Sequence, residues 1–244
     1  TTSAIYGTDQ NDIITGASGA DIIYGLNGSD ILNGLAGVDL LDGGEGGDIY
    51  VISNSSDHNV SEINDSGMYG GVDEVRFNPI INSNSTLKLY AGDMGIDRVV
   101  IGSGNNINPT ISGKAALNVD ASEVRYGLNL VGNDGNNLLV GTAYDDSLEG
   151  NGANDTLNGK AGNDLLHGGS NNDILIGGEG TDNLWGDSGR DTFVFSDDIV
   201  NCPGYSLKYD GIADYAKGAV GVGEVIDFNV QLSVGGTDRP ATST

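Results

Sequence analysis

Apolar residues recur every ninth position in two stretches of the chain. From Gly7 the chain reads GTDQNDIIT, GASGADIIY, GLNGSDILN, GLAGVDLLD, GGEGGDIYV. From Gly132 it reads GNDGNNLLV, GTAYDDSLE, GNGANDTLN, GKAGNDLLH, GGSNNDILI, GGEGTDNLW, GDSGRDTFV. Every unit opens on Gly. The eighth place is apolar throughout: Ile14, Ile23, Leu32, Leu41 and Tyr50, then Leu139, Leu148, Leu157, Leu166, Leu175, Leu184 and Phe193. A fixed period shorter than a domain, held in phase over this many units, points to stacked repeats. Between the arrays, residues 52 to 131 lose the phase. There "VRF", "TLKLYAG", "DRVVIGSG" and "ALNVDASEV" alternate as short strands do.

Composition changes this picture in one respect. The 41 Gly would by themselves argue for disorder, and only the period argues against it. The formal charge is −25, from 35 acids against 10 bases, and 28 of the acids are Asp. No Lys or Arg precedes Arg76. Such a surface repels nucleic acid and anionic lipid and attracts multivalent cations. The single Cys202 forms no intramolecular disulfide. No apolar run approaches membrane-spanning length, so membrane insertion is not expected, and the N-terminus lacks a secretory signal pattern. The ending GGTDRPATST does not read as the close of a folded domain, so a piece of a longer chain is expected.

The acids are not scattered. The sixth place of the units holds Asp12, Asp21, Asp30, Asp39 and Asp48, then Asn137, Asp146, Asp155, Asp164, Asp173, Asp182 and Asp191. These residues resemble the RTX (hemolysin-type) nonapeptide repeat of proteins exported by bacterial type I secretion. The resemblance covers both arrays, nearly half the chain. It implies an all-β fold, a parallel β-roll in which six residues turn and three form a strand. Consecutive strands then lie on opposite sheets, and two repeats complete a coil. It also implies Ca²⁺ as cofactor. Backbone carbonyls at turn places one to four would complete each shell: Gly25, Asn27, Gly28, Gly159, Ala161, Gly162, Gly168, Gly177, Glu179 and Gly180. Ala153 and Asn171 depart from the Gly expected at the fourth place.

Elementary energetics supports a cation independently. One core side chain per repeat contributes about 1.5–3 kcal/mol, whereas ordering nine backbones costs about 1–2 kcal/mol each. Stacked coils would also place Asp residues eighteen apart about 5 Å from one another, where unpaired carboxylates repel by about 3 kcal/mol at an effective dielectric of 20. A hard dication converts that repulsion into ligation, and flexible all-oxygen sites suit Ca²⁺ better than Mg²⁺. The pairs are Asp12/Asp30, Asp30/Asp48 and Asp21/Asp39, then Asp155/Asp173, Asp173/Asp191, Asp146/Asp164 and Asp164/Asp182. That makes about seven ions on this spacing. Asn137/Asp155 should be weaker because Asn137 brings no charge.

The expected organisation is a first array at 1–51, a β-rich bridge at 52–131, a second array at 132–195 and a closing segment at 196–244. In the last, "GVGEVIDFNV" resembles the family's closing hairpin, with Asp227 either a terminal ligand or a solvated residue on a capping strand. With the eighth place facing inward, the seventh places face out. They are apolar in the first array (Ile13, Ile22, Ile31, Leu40, Ile49) and more polar in the second. The first array is therefore expected to be covered by the bridge or a neighbouring module.

His58 and His167 stand far apart without a H-E-x-x-H context, and Cys202 lacks a basic neighbour to activate it, so no catalytic constellation is expected. Trp185, Tyr24 and Val51 stand at ninth places; an exposed Trp185 could stack on a sugar ring, with packing under the C-terminal segment as the alternative. A sequon at Asn59 carries little weight. The expected role is a structural, non-enzymatic calcium module of a larger secreted or cell-surface polypeptide. The alternative is a calcium-dependent module gripping polysaccharide or a cell surface, as in adhesins or polysaccharide-modifying enzymes. An ice-binding solenoid would need an outward rank of Thr, which is missing.

Overall fold

The computed structural model describes residues 4–56, 58–60, 62–67, 70–79, 84–104 and 108–195, with the backbone of Gly211–Ile212 and Val225–Phe228. Cys202, Ser61 of the Asn59 sequon, most of 196–244 and the Asp227 side chain lie outside them. Among these residues there is no helix, and so none long and apolar enough to cross a membrane. The chain winds as a parallel β-solenoid of about ten turns.

Within the arrays strands alternate between two faces because a turn reverses the chain after each one; six residues follow the short strands Ile13–Thr15 and Leu138–Val140, whereas Leu165–Ser170 extends into its turn and leaves three before Ile174. One face is a sheet of ten strands: Ile13–Thr15, Ile31–Asn33, Ile49–Ile52, Glu74–Phe77, Arg98–Ile101, Asn129–Val131, Ser147–Glu149, Leu165–Ser170, Asn183–Ser188 and Gly211–Ile212. It runs without interruption through both arrays and the bridge. The opposite face is divided. Ile5–Tyr6, Ile22–Asn27 and Leu40–Glu45 form one sheet. Thr86–Lys88, Asn118–Asp120, Leu138–Val140, Thr156–Ala161, Ile174–Glu179, Thr192–Phe195 and Val225–Phe228 form another. Between them, single parallel bridges join Leu41 to Ile63 and Asn64 to Met94.

Within the arrays the register is eighteen residues, as in Ile14↔Leu32 and Leu157↔Leu175. The register stacks like on like, so the eighth places form two columns through the core. All are fully buried from Ile23 onward, and the bridge extends the columns with Val75, Val99 and Leu130 on one face and Leu87 and Val119 on the other. The seventh places differ from expectation in part. Ile49 is buried, Ile22, Ile31 and Leu40 are half-buried, and Ile13 is 69% exposed. In register they lie one above another, Ile13↔Ile31↔Ile49, and exposure falls along the row toward Ile49, which pairs next with Glu74 of the bridge, while Ile13 at the start stays bare.

Turn geometry survives the non-Gly fourth places. Ala153 and Asn171 adopt φ of 70° and 79°, the left-handed conformation in which Gly is unstrained.

Candidate metal centre

Each sixth-place residue is the last before its strand, where the turn folds back onto the coil. Asp30, Asp48, Asp155, Asp164 and Asp173 are at most 2% exposed. One carboxylate oxygen is bound the same way at every step: it accepts the main-chain N–H of the sixth place one coil earlier. Asp12 N–H donates to Asp30 Oδ1 at 2.7 Å, Asp21 to Asp39 at 2.9 Å and Asp30 to Asp48 at 2.7 Å. In the second array Asn137 donates to Asp155 at 2.7 Å, Asp146 to Asp164 at 2.9 Å, Asp155 to Asp173 at 2.8 Å, Asp164 to Asp182 at 2.9 Å and Asp173 to Asp191 at 2.9 Å.

The other oxygen is treated differently. Oδ2 of Asp30, Asp48, Asp155, Asp164 and Asp173 is buried and accepts no hydrogen bond. It lies in a cradle that the first-place Gly keeps open. A Cβ built on Gly150 would stand 2.5 Å from Asp155 Oδ2 and 2.5 Å from the Gly168 carbonyl oxygen; one on Gly168 would stand 2.5 Å from Asp173 Oδ2 and 2.9 Å from the Gly186 carbonyl oxygen. A carboxylate oxygen and a carbonyl oxygen from the next coil thus converge with no donor between them. Two acceptors facing each other in a buried cradle fit a hard cation.

The first carboxylates of the stacks are capped by their own turns. Thr8 N–H donates to Asp12 Oδ2 at 2.6 Å, Ala17 N–H to Asp21 Oδ2 at 2.6 Å and Thr142 N–H to Asp146 Oδ2 at 2.6 Å. Where the second-place residue instead takes a positive φ, as Leu26 and Lys160 do at 87° and 82°, Oδ2 of Asp30 and Asp164 has no donor. Asn137 shows the neutral alternative. Its Oδ1 accepts from Asn133 N–H at 2.8 Å while its Nδ2 donates to the Leu117 carbonyl at 2.7 Å, so the amide completes itself within the protein.

Electrostatics follows burial. Loss of solvation raises the Asp30 and Asp146 carboxyls, pushes Asp48, Asp164 and Asp173 up to about 7 and Asp155 to about 8, and neighbouring carboxylates add to it. None of the ion pairs among the described residues involves Asp30, Asp48, Asp155, Asp164 or Asp173.

The carbonyls at Gly25, Gly159, Gly168 and Gly177 each lie at the cradle of the preceding coil, those of Gly28 and Gly162 lie against the backbone of Gly46 and Gly180, and the Glu179 carbonyl accepts Gly162 N–H at 2.9 Å. Asp227 pairs in register with Val194, a ninth place, while the sixth-place residues precede their strands.

Several polar features have no counterpart in the nonapeptide pattern. The carboxylate ladder continues into the bridge, where Asp48 N–H donates to Asp73 Oδ1 at 2.8 Å and Asp73 N–H to Asp97 Oδ2 at 2.9 Å. A second ladder runs at the fifth places the opposite way, with Asn172 N–H donating to Asn154 Oδ1 at 2.9 Å and Arg190 N–H to Asn172 Oδ1 at 2.9 Å. In the bridge, buried His58 joins Glu62 through Nδ1 at 2.9 Å and Asp93 through Nε2 at 3.0 Å. Burial alone would lower the His58 pKa, but the hydrogen bonds and charges of Asp93 and Glu62 outweigh it and carry it up to about 9. Glu74 pairs with both Arg76 and Arg98. His167 lies elsewhere, stacked on Trp185 with ring centres 4.6 Å apart and bonded to Asp187 at 3.1 Å.

A solenoid whose stacked turns repeat a buried carboxylate facing an open cradle, as at Asp30, Asp48, Asp155, Asp164 and Asp173, defines a class of turns suited to cations. The RTX calcium-binding nonapeptide repeat matches this chain in four copies, at residues 4–32, 16–50, 131–166 and 158–193, and the two arrays belong to that family. No curated protein matches the chain.

Proposed function

We propose that the chain is a calcium-dependent structural module of an exported protein, disordered at low calcium and folded where calcium is plentiful. It carries calcium-binding RTX repeats on a β-solenoid. The observation that supports the finer reading is the row of buried Oδ2 atoms at Asp30, Asp48, Asp155, Asp164 and Asp173, each without a donor. An ion bridging the i and i+18 sixth places and the adjoining first-place carbonyls would occupy about seven steps, on the parallel-strand spacing. Sites of extracellular strength, roughly 10⁻⁴–10⁻³ M, would leave the chain extended in a calcium-poor cytosol and fold it by mass action outside. In this reading the arrays at 1–51 and 132–195 are the calcium-loaded segments, 52–131 joins them, and 196–244 closes the coil.

Far-UV circular dichroism tests it. In chelator the β signal should be largely lost, and millimolar Ca²⁺ should restore it cooperatively. A native-like β spectrum in chelator would overturn the proposal.

A second reading, a glycan-gripping module, rests on a surface feature of the first array. Tyr6, 64% exposed, stacks on Tyr24 at 5.2 Å, beside a pocket lined by Asp9, Asn27, Asp42 and Glu45. Calcium-dependent retention on immobilised polysaccharide, abolished by Tyr24→Ala, would favour it over a purely structural role.

A further inference from the structure

We propose that Asp48, Asp65 and Asp73 hold a hard divalent cation of the calcium class at the junction of the first array and the bridge. The inference rests on the reading that the array turns take calcium, and extends it to residues outside the nonapeptide pattern. One carboxylate oxygen from each of the three lies within 4.8 Å of the others.

The bridge builds this cluster by stacking a lengthened turn on the last turn of the array. Gly70 pairs with Gly46, Gly71 N–H donates to the Gly46 carbonyl at 3.0 Å, and Asp73 accepts Asp48 N–H at 2.8 Å. Asp73 therefore occupies the position of the next sixth-place residue, 25 residues on instead of eighteen. The longer turn also brings in Asp65, whose Oδ1 accepts Gly44 N–H at 3.2 Å and Gly67 N–H at 3.1 Å. Each carboxylate is thus anchored by a main-chain amide through one oxygen, Asp48 through its bond from Asp30 N–H at 2.7 Å.

Beyond the grouping itself, Asp48, which closes the array row and opens this cluster, points to a ligand. It is fully buried, and its Oδ2 has no donor. None of the ion pairs among the described residues involves Asp48, Asp65 or Asp73. A regular array step pairs two carboxylates, whereas this step gathers three, all hard oxygen donors in a partly open turn. That donor set favours Ca²⁺ over Mg²⁺, and the added charge makes it the tightest of the chain's sites, by about tenfold over an array step.

The experiment is native mass spectrometry of the full chain through a Ca²⁺ titration, comparing the unaltered chain with Asp65→Asn and Asp42→Asn. Asp42 serves as the matched control. Its Oδ1 accepts Ser66 N–H at 3.0 Å, so it touches the same turn, but it stands outside the cluster. Asp65→Asn should bind one ion fewer at saturation and lose the tightest step, while Asp42→Asn keeps the full count. An unchanged count in Asp65→Asn, or equal losses in both variants, overturns the proposal. The array ions appear in the same spectra, so a chain that binds no calcium at all would refute the array reading instead. Should Asp65→Asn fail to fold, Tb³⁺ anomalous scattering from crystals of the unaltered chain decides. A peak among the three carboxylates supports the site, and peaks confined to the arrays overturn it.

Discussion

Exchanging the Asp173 carboxylate for an amide keeps the shape of the side chain and its bond from Asp155 N–H, and removes one charge from a buried stack. The consequence depends on calcium. Burial pushes the Asp173 carboxyl up to about 7, from 3.8. A group whose folded pKa is raised stabilises fully below its unfolded value and loses that contribution as pH rises through the folded one. Holding Asp173 ionised at pH 8 without an ion therefore costs about 4 kcal/mol by the shift alone, and about 2 kcal/mol after discounting for solvent screening at the turn. Asp173→Asn removes that cost, and with Oδ1 still accepting Asp155 N–H its Nδ2 is turned to the cradle that Gly168 and the Gly186 carbonyl form. In chelator at pH 8 the variant should show more β structure than the unaltered chain by far-UV circular dichroism, and at pH 4 the two should coincide. In millimolar calcium the order reverses. The calcium midpoint should rise, and native mass spectrometry should count about two ions fewer, one for each i+18 step that Asp173 joins on the parallel-strand spacing. A variant less structured than the unaltered chain in chelator at pH 8 would show that protein contacts, not an ion, hold this carboxylate.

Two further outcomes are expected. The His58 imidazolium between Glu62 and Asp93 stabilises the bridge fully below pH 6.5 and loses its contribution as pH rises through about 9, so amide exchange at 58–60 and 62–63 should quicken between pH 8 and 10 beyond its intrinsic rate; protection that does not change refutes this. Ala153→Gly should relieve the left-handed strain at φ 70° and raise stability in calcium by about 0.5–1 kcal/mol, net of the entropy Gly adds to the unfolded chain, and a lowered thermal midpoint would refute it.

The repeat was legible because one residue type recurs at one place: the eighth-place column and the sixth-place Asp residues follow from counting nines. The bridge was legible as strands but not as a continuation of the ladder. Asp73 and Asp97 follow their predecessors by 25 and 24 residues, so no period reveals them. Asp65 and the His58–Glu62–Asp93 cluster were hidden for a related reason. Their members come from loops of unequal length that meet only once the coil is wound. The second-place switch was equally invisible. Leu26 and Thr8 look interchangeable on paper, yet a positive φ at Leu26 accompanies a bare Asp30 Oδ2, whereas Thr8 caps Asp12 with its own N–H. The half-covered seventh places show the limit of reasoning from one repeat at a time, since Ile31 is sheltered by residues eighteen away on either side.

One face of the solenoid is an unbroken ten-stranded sheet, and the other is divided between Leu40–Glu45 and Thr86–Lys88, where the described residues are joined by single bridges such as those at Ile63 and Asn64. In mechanical terms the molecule is a beam with one continuous flange and one jointed flange. Bending resistance along such a beam is lowest at the joint, because hydrogen-bonded ladders resist stretching far better than isolated contacts do. The joint coincides with the His58 cluster and the Asp48–Asp65–Asp73 group, so buried charge lies where the rod is weakest. Whatever clamps those carboxylates together also sets the stiffness of the whole rod, and with it how far the two arrays can swing toward each other under load.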